Sequence, residues 1–193
     1  MDVKSRQGAL TTLTDSSAIT VPITTTQDIL CYQFVSNQVF KPAKLDTSIT
    51  FSMVQRFLES ATTANCTIAC SLRAFDILGL ASLGTLFSVF TGGTEFGTTA
   101  STRIVSASAI TALQIDQLYR LVLEVGAHAA APTAGTTYTA RTGSSAASDF
   151  ALTSGLTTDL NPWMELSKNL NGTVLQNYMG VHGSGGGFGE SLR

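Results

Sequence analysis

Two histidines, thirteen carboxylates, three cysteines and one tryptophan are the residues of this chain whose types could do chemistry. A serine hydrolase needs a histidine base beside an activated serine, with a third group to orient it. His128 follows an apolar strand pattern among alanines, and His182 sits in a glycine-rich tail. Neither setting supplies the rigid support that such a base needs, and no G-x-S-x-G elbow occurs. Gly183-Ser-Gly-Gly-Gly187 has the glycines of a phosphate loop but neither its lysine nor its following helix. Two carboxylates about 5–9 Å apart can hydrolyse a glycosidic bond, but most acids here fall at turns or strand ends, where a solvated carboxylate is expected. Asp149, Asp159 and Asn161 flank one loop and carry oxygens suited to Ca2+, without the dense spacing of a calcium loop.

The three thiols point the same way. Cys66 and Cys70 alternate with Ile68 and Leu72. On one strand face they stand roughly 13 Å apart at ~3.3 Å per residue, beyond the ~7 Å limit for a disulfide. With Cys31 in a similar apolar setting, all three read as core thiols. A zinc site needs more ligands, and neither histidine has a fitting spacing. No catalytic residue, metal or cofactor is therefore expected. Asn65-Cys-Thr67 and Asn171-Gly-Thr173 match the glycosylation pattern, but Met1–Gln7 lacks the apolar run of a signal peptide, so the matches are expected to be fortuitous and the chain to be made in a cytosol. Trp163 has two readings. An exposed tryptophan stacks on sugar. Pro162 before it and Met164 and Leu166 after it suggest instead a strand entering the core.

The elements that would position these residues are strands. Ile49, Phe51, Met53 and Phe57 fall on one face of 48–57, opposite Ser48, Thr50 and Ser52. Cys66, Ile68, Cys70, Leu72 and Ala74 oppose Thr67, Ser71 and Arg73. Tyr119, Leu121, Leu123 and Val125 oppose Arg120 and Glu124. This period-two pattern is the mark of half-buried strands. Shorter candidates are 28–35, 86–90, 102–107, 137–141 and 163–166. Glycines and Pro132 punctuate them as turns. No amphipathic helix stands out; 109–118 is the best candidate, on a weak stripe through Leu113 and Gln117. About eight short strands predict an all-β antiparallel sandwich, with a jelly roll as the expected wiring. The core anchors are Phe51, Phe57, Leu121, Leu123, Val125 and Trp163.

Residues 1–24 read as an extended arm, 25–168 as the sandwich, and 169–193 as a glycine-rich tail that is flexible or docks on a neighbour. Leu10, Leu13, Tyr178, Met179 and Phe188 are the candidate inter-subunit contacts. Charged residues make up 12% of the chain, against about 25% in an average domain, and the net charge is −2. A neutral polar surface of Thr, Ser, Asn and Gln suits permanent contact with copies of itself or with a scaffold. Scattered Lys and Arg give nucleic-acid binding no electrostatic footprint. The most apolar run, Ile77–Phe90, is broken by Gly79 and Gly84 and falls short of the ~20 residues of a membrane helix.

Arg120-Leu-Val-Leu-Glu-Val-Gly126, then Ala147-Ser-Asp149, then Thr158-Asp-Leu-Asn-Pro-Trp-Met-Glu-Leu166 form a pattern over about fifty residues. It resembles a family of jelly-roll-like structural proteins of tailed bacteriophages. The resemblance implies a non-enzymatic virion protein present in many copies. The expected role is a capsid decoration or cement protein, trimeric or higher, contacting copies of itself and other virion proteins such as the major capsid protein. A neck, tail or fibre component, or a host-surface glycan-binding module on the virion, is the alternative.

Overall fold

Branched and aromatic residues alternating with hydroxyl residues suit a pleated, half-buried surface, and the computed structural model is built of strands. It describes residues 14–15, 18–21, 24–36, 38–142, 148–158, 160–168, 170 and 172–173. The strands are β1 (Thr14–Asp15), β2 (Ile19–Thr20), β3 (Gln27–Val35), β4 (Val39–Phe40), β5 (Ala43–Leu45), β6 (Thr50–Glu59) and β7 (Cys66–Asp76). They continue with β8 (Ser82–Gly92), β9 (Ser101–Ala109), β10 (Leu113–Ile115), β11 (Tyr119–Ala129), β12 (Thr137–Thr142), β13 (Trp163–Leu166) and β14 (Gly172–Thr173). Among the described residues the only helical element is a 3-10 turn at Thr62–Ala64.

Two antiparallel sheets pack together as a sandwich. In the first, β6 pairs with β9 along one edge, and β12 and β13 share its other edge; β1 and β2 pair with β12. In the second, the order is β8-β7-β11, with β3 and β4 sharing the far edge of β11 and β14 on β4. The ladders give four-strand orders β2-β12-β6-β9 and β3-β11-β7-β8. Phe51, Met53 and Phe57 of β6 meet Ile68, Cys70 and Leu72 of β7 and Leu121, Leu123 and Val125 of β11 in one buried cluster. Phe51 lies 5.0 Å from Phe87, ring to ring. Hydroxyls tie the layers: Tyr138 Oη donates to Ile29 O at 2.8 Å, and Tyr32 Oη to Ala140 O at 3.3 Å.

The weak helix candidate over 109–118 is not a helix, in keeping with the all-β reading. Leu113–Ile115 is a strand paired with β5 in the register Leu113↔Leu45 and Ile115↔Ala43. Ile110 and Ile115 are both buried, and Thr111 N donates to Leu86 O at 2.6 Å. Pairing with a distant strand outweighs a weak helical stripe. The sandwich also extends past the residue 24 and 168 boundaries read from the sequence. Val21 is fully buried and exchanges backbone hydrogen bonds with Thr136 and Gly135, and Gly172–Thr173 pairs with β4. Leu10, Leu13, Tyr178, Met179 and Phe188 lie outside the described residues, as does His182.

Gly126 sits where the β3–β11 register shifts between Val125 and Gly126. A Cβ built there would stand 2.0 Å from Ile29 O, so the two backbones approach too closely for any side chain. Gly126→Ala is expected to destabilise the fold by at least about 1–3 kcal/mol, the range for overpacking. Denaturant titration would check this, and an unchanged midpoint would show that the bulge yields freely.

Candidate assembly surface

The outer faces of the two sheets are treated differently. On the β6 sheet, Val54 points away from the main core and packs with Phe150 and Trp163; Ile104, Leu156 and Leu160 complete a second, smaller core. The 148–158 segment lies over this face. Thr102 holds it with both backbone groups, N to Leu156 O and O from Gly155 N, each at 2.9 Å, and its hydroxyl donates to Thr153 O at 2.6 Å. Arg56, 4% exposed, donates to Thr157 O at 3.2 Å and stacks its guanidinium over the Phe150 ring. Trp163, 8% exposed, donates its indole N–H to Phe150 O at 2.6 Å. Phe51, Phe57, Leu121, Leu123 and Val125 lie buried between the sheets. Trp163 instead anchors the cover on the outside of one sheet.

The outer face of the β11 sheet carries a different set. Nine large apolar side chains are strongly exposed among the described residues, and eight belong to this sheet or its connections. Leu30 and Val35 lie on the outer face of β3, Val89 on β8 and Leu118 just before β11, while Phe34 stands opposite the inward Leu123 at the edge of the sheet. Ile77, Leu78 and Leu80 form the β7–β8 turn; only Leu152 lies elsewhere. The charged groups on this face are engaged within the sheet, Arg120 with the carbonyls of Ile77 and Ser36 and the others with one another. Glu124 accepts from both ends of the Arg73 guanidinium, from Ser71 Oγ at 2.6 Å and from Gln33 Nε2 at 3.2 Å. These hydrogen bonds, Arg73 first, hold its carboxyl below the usual range. His128 Nδ1 lies 2.7 Å from Asp28 Oδ1 across the β3–β11 ladder. Between the two pairs runs a groove of about 240 Å³, lined by Leu30, Ala69, Val89, Gly126 and their neighbours. Exposed apolar area of this kind, rimmed by polar groups, marks contact sites.

The remaining chemistry is interior. Glu59 is 1% exposed. Its Oε2 accepts from Cys66 N at 3.3 Å, and Oε1 has no donor. Burial, opposed by the Cys66 N–H and reinforced by the neighbouring Glu95 carboxylate, pushes its carboxyl up to about 7. Arg103 lies in the same cluster and spends its donors on Thr94 O, Glu95 O, Thr102 O and Ser101 Oγ. A raised carboxyl can mark a functional site; with Glu59 1% exposed, its protonation is coupled to folding. Burial likewise pushes the Cys66 and Cys70 thiols up to about 12, and no disulfide joins any of the three cysteines. Asp149 and Asn161 come together as an isolated bridge; Asp159 lies outside the described residues. Among the described residues no three metal-ligating side chains converge. The paired charges of the open face and the Glu59 cluster escaped the sequence reading, because only cross-strand register brings them together. No family model, no curated protein and no solved structure matches this chain.

Glu59 keeps its proton in the folded state when the unfolded chain has lost it. Stability is therefore expected to be highest below pH ~4.5 for this group and to fall as pH rises through about 7. The full loss is on the order of 3 kcal/mol. Denaturation midpoints across pH should flatten in Glu59→Gln; an identical slope in the variant would place the titration elsewhere. Trp163→Ala is expected to cost about 3–5 kcal/mol. Hydrogen exchange should then quicken first over 148–158; uniform loss of protection across β7 and β11 would instead make Trp163 an anchor of the whole sandwich.

Proposed function

We propose that this chain is a non-enzymatic structural protein of a bacteriophage virion, with a capsid decoration or cement role as its leading form. The observation that carries the reading is the unequal treatment of the two outer faces: the chain's own 148–158 segment packs over one, and the other presents Leu30, Val35 and Val89, with Leu78 and Leu80 exposed at its β7–β8 turn. An apolar face whose charged groups are already hydrogen-bonded suits lasting contact between subunits, where an unsatisfied charge would be costly to bury. The four-strand orders β2-β12-β6-β9 and β3-β11-β7-β8 support jelly-roll wiring, an architecture used in viral capsids. The Arg120–Gly126 and Thr158–Leu166 segments, which resemble phage structural proteins, supply the central strand of the open sheet and the strand that pins the cover. The low charge of the chain fits the same role. The partners are copies of this chain and other virion proteins such as the major capsid protein.

The test is incorporation into particles. Leu30→Asp combined with Val89→Asp should fold normally and lower the copy number in purified virions at least tenfold, measured by quantitative mass spectrometry. Leu152→Asp should not. Equal incorporation of the open-face variant, or a wild-type chain absent from purified particles, would sink the proposal.

A further inference from the structure

The β7–β8 turn is an apolar point held in a fixed shape. Asp76 N donates to Ala81 O at 3.0 Å, and Gly79 N donates to Asp76 O at 3.0 Å. The Asp76 carboxylate accepts from Leu80 N at 2.7 Å and from Ala81 N at 3.3 Å. Gly79, at φ 74°, supplies the left-handed residue that the turn requires. This network presents Leu78 and Leu80 to solvent at 73% and 81% exposure. Two leucines held outward by a hydrogen-bonded turn are not a frayed loop, and burying them against apolar surface is favourable.

On the same sheet lies a groove of fitting chemistry. Its walls are Leu30 and Val89, and its floor is Ala69 and Gly126. The floor is low because Gly126 cannot carry a side chain against Ile29 O. At its rim Arg73 is ion-paired with Glu124, and Asp28 is hydrogen-bonded to His128. The tip, Ile77–Ala81, is uncharged. An uncharged apolar point therefore enters this groove without stranding a charge, whereas an acidic or basic partner would have to break one of the pairs.

We infer that the Leu78–Leu80 tip of one copy seats in the Leu30–Val89 groove of the next. The contact is head-to-tail, since tip and groove are different patches of the same chain. Such heterologous contacts close into a ring when the rotation permits. This inference rests on the assembly reading of the open face and specifies how copies meet there.

Mixed cross-linking tests it. In a Cys31→Ala background, Cys66 and Cys70 are buried and stay unreactive. A Leu80→Cys protein is mixed with a Leu30→Cys protein and treated with a short bismaleimide. The expected result is a tip-to-groove dimer at least tenfold more abundant than either same-site dimer, and abolished by Leu78→Asp in the tip partner. Predominant Leu30–Leu30 dimers would overturn the inference while leaving the open face as an assembly surface. No cross-link of any kind, with a single monomeric species in analytical ultracentrifugation, would sink both.

Discussion

The fold depends on β6 being buried on both faces. Its inner side chains Phe51, Met53 and Phe57 face the second sheet, while Val54 and Arg56 lie under the 148–158 segment. An antiparallel sheet can leave one face to water; this sheet does not. Covering it takes Thr102, which spends both backbone groups and its hydroxyl on the cover, and Trp163, whose indole fixes Phe150. Buried Tyr, Trp and Arg each bring a polar group that must be met, so the cover is specific in register. Among the described residues one such segment is present, and it lies on one sheet. No described segment covers the outer face of the other sheet.

The open face is not polar in compensation. Ala69, Ser71 and Val122 lie low beneath a ring of larger side chains, and Gly126 lowers the surface further. Glu124 gathers three partners from two neighbouring strands, which fixes it as part of the sheet. A carboxylate so held is already desolvated by its own side, and a neighbour pressing on it loses less than it would against a free one. Surface ion pairs contribute little to stability. The arrangement matters more for what can approach the face than for how firmly the sheet is folded.

Much of this was legible. Period-two alternation located β7 and β11 within two to four residues, because each is half buried and its inner face is apolar throughout. Trp163–Leu166 was read to the residue. Short strands failed: β4, β5 and β10 hold two or three residues, too few for a period, and exist because partners far along the chain pair with them. Adjacent Met53 and Val54 were a sign of burial on both faces, since a strand with one wet face does not place apolar residues on consecutive positions, yet alternation over 48–53 drew attention away from it. Trp163 was read as buried, but its face is a matter of register: it stands opposite Val54, which points outward. The Glu59, Glu95 and Arg103 cluster joins three separate segments and leaves no local pattern.

These failures share a cause that bears on function. Local pattern reports whether a residue is buried, but not which body buries it. A strand whose outer face is covered by its own chain and one whose outer face awaits another molecule have the same alternation and similar apolar content. Val54 and Val89 are both outward valines; one is fully buried and the other 53% exposed. Among the described residues, 148–158 covers the first and no segment covers the second. The apolar residues of the open face therefore entered the sequence as apparent core and left the structure as surface. Such residues carry the functional argument because the fold does not use them.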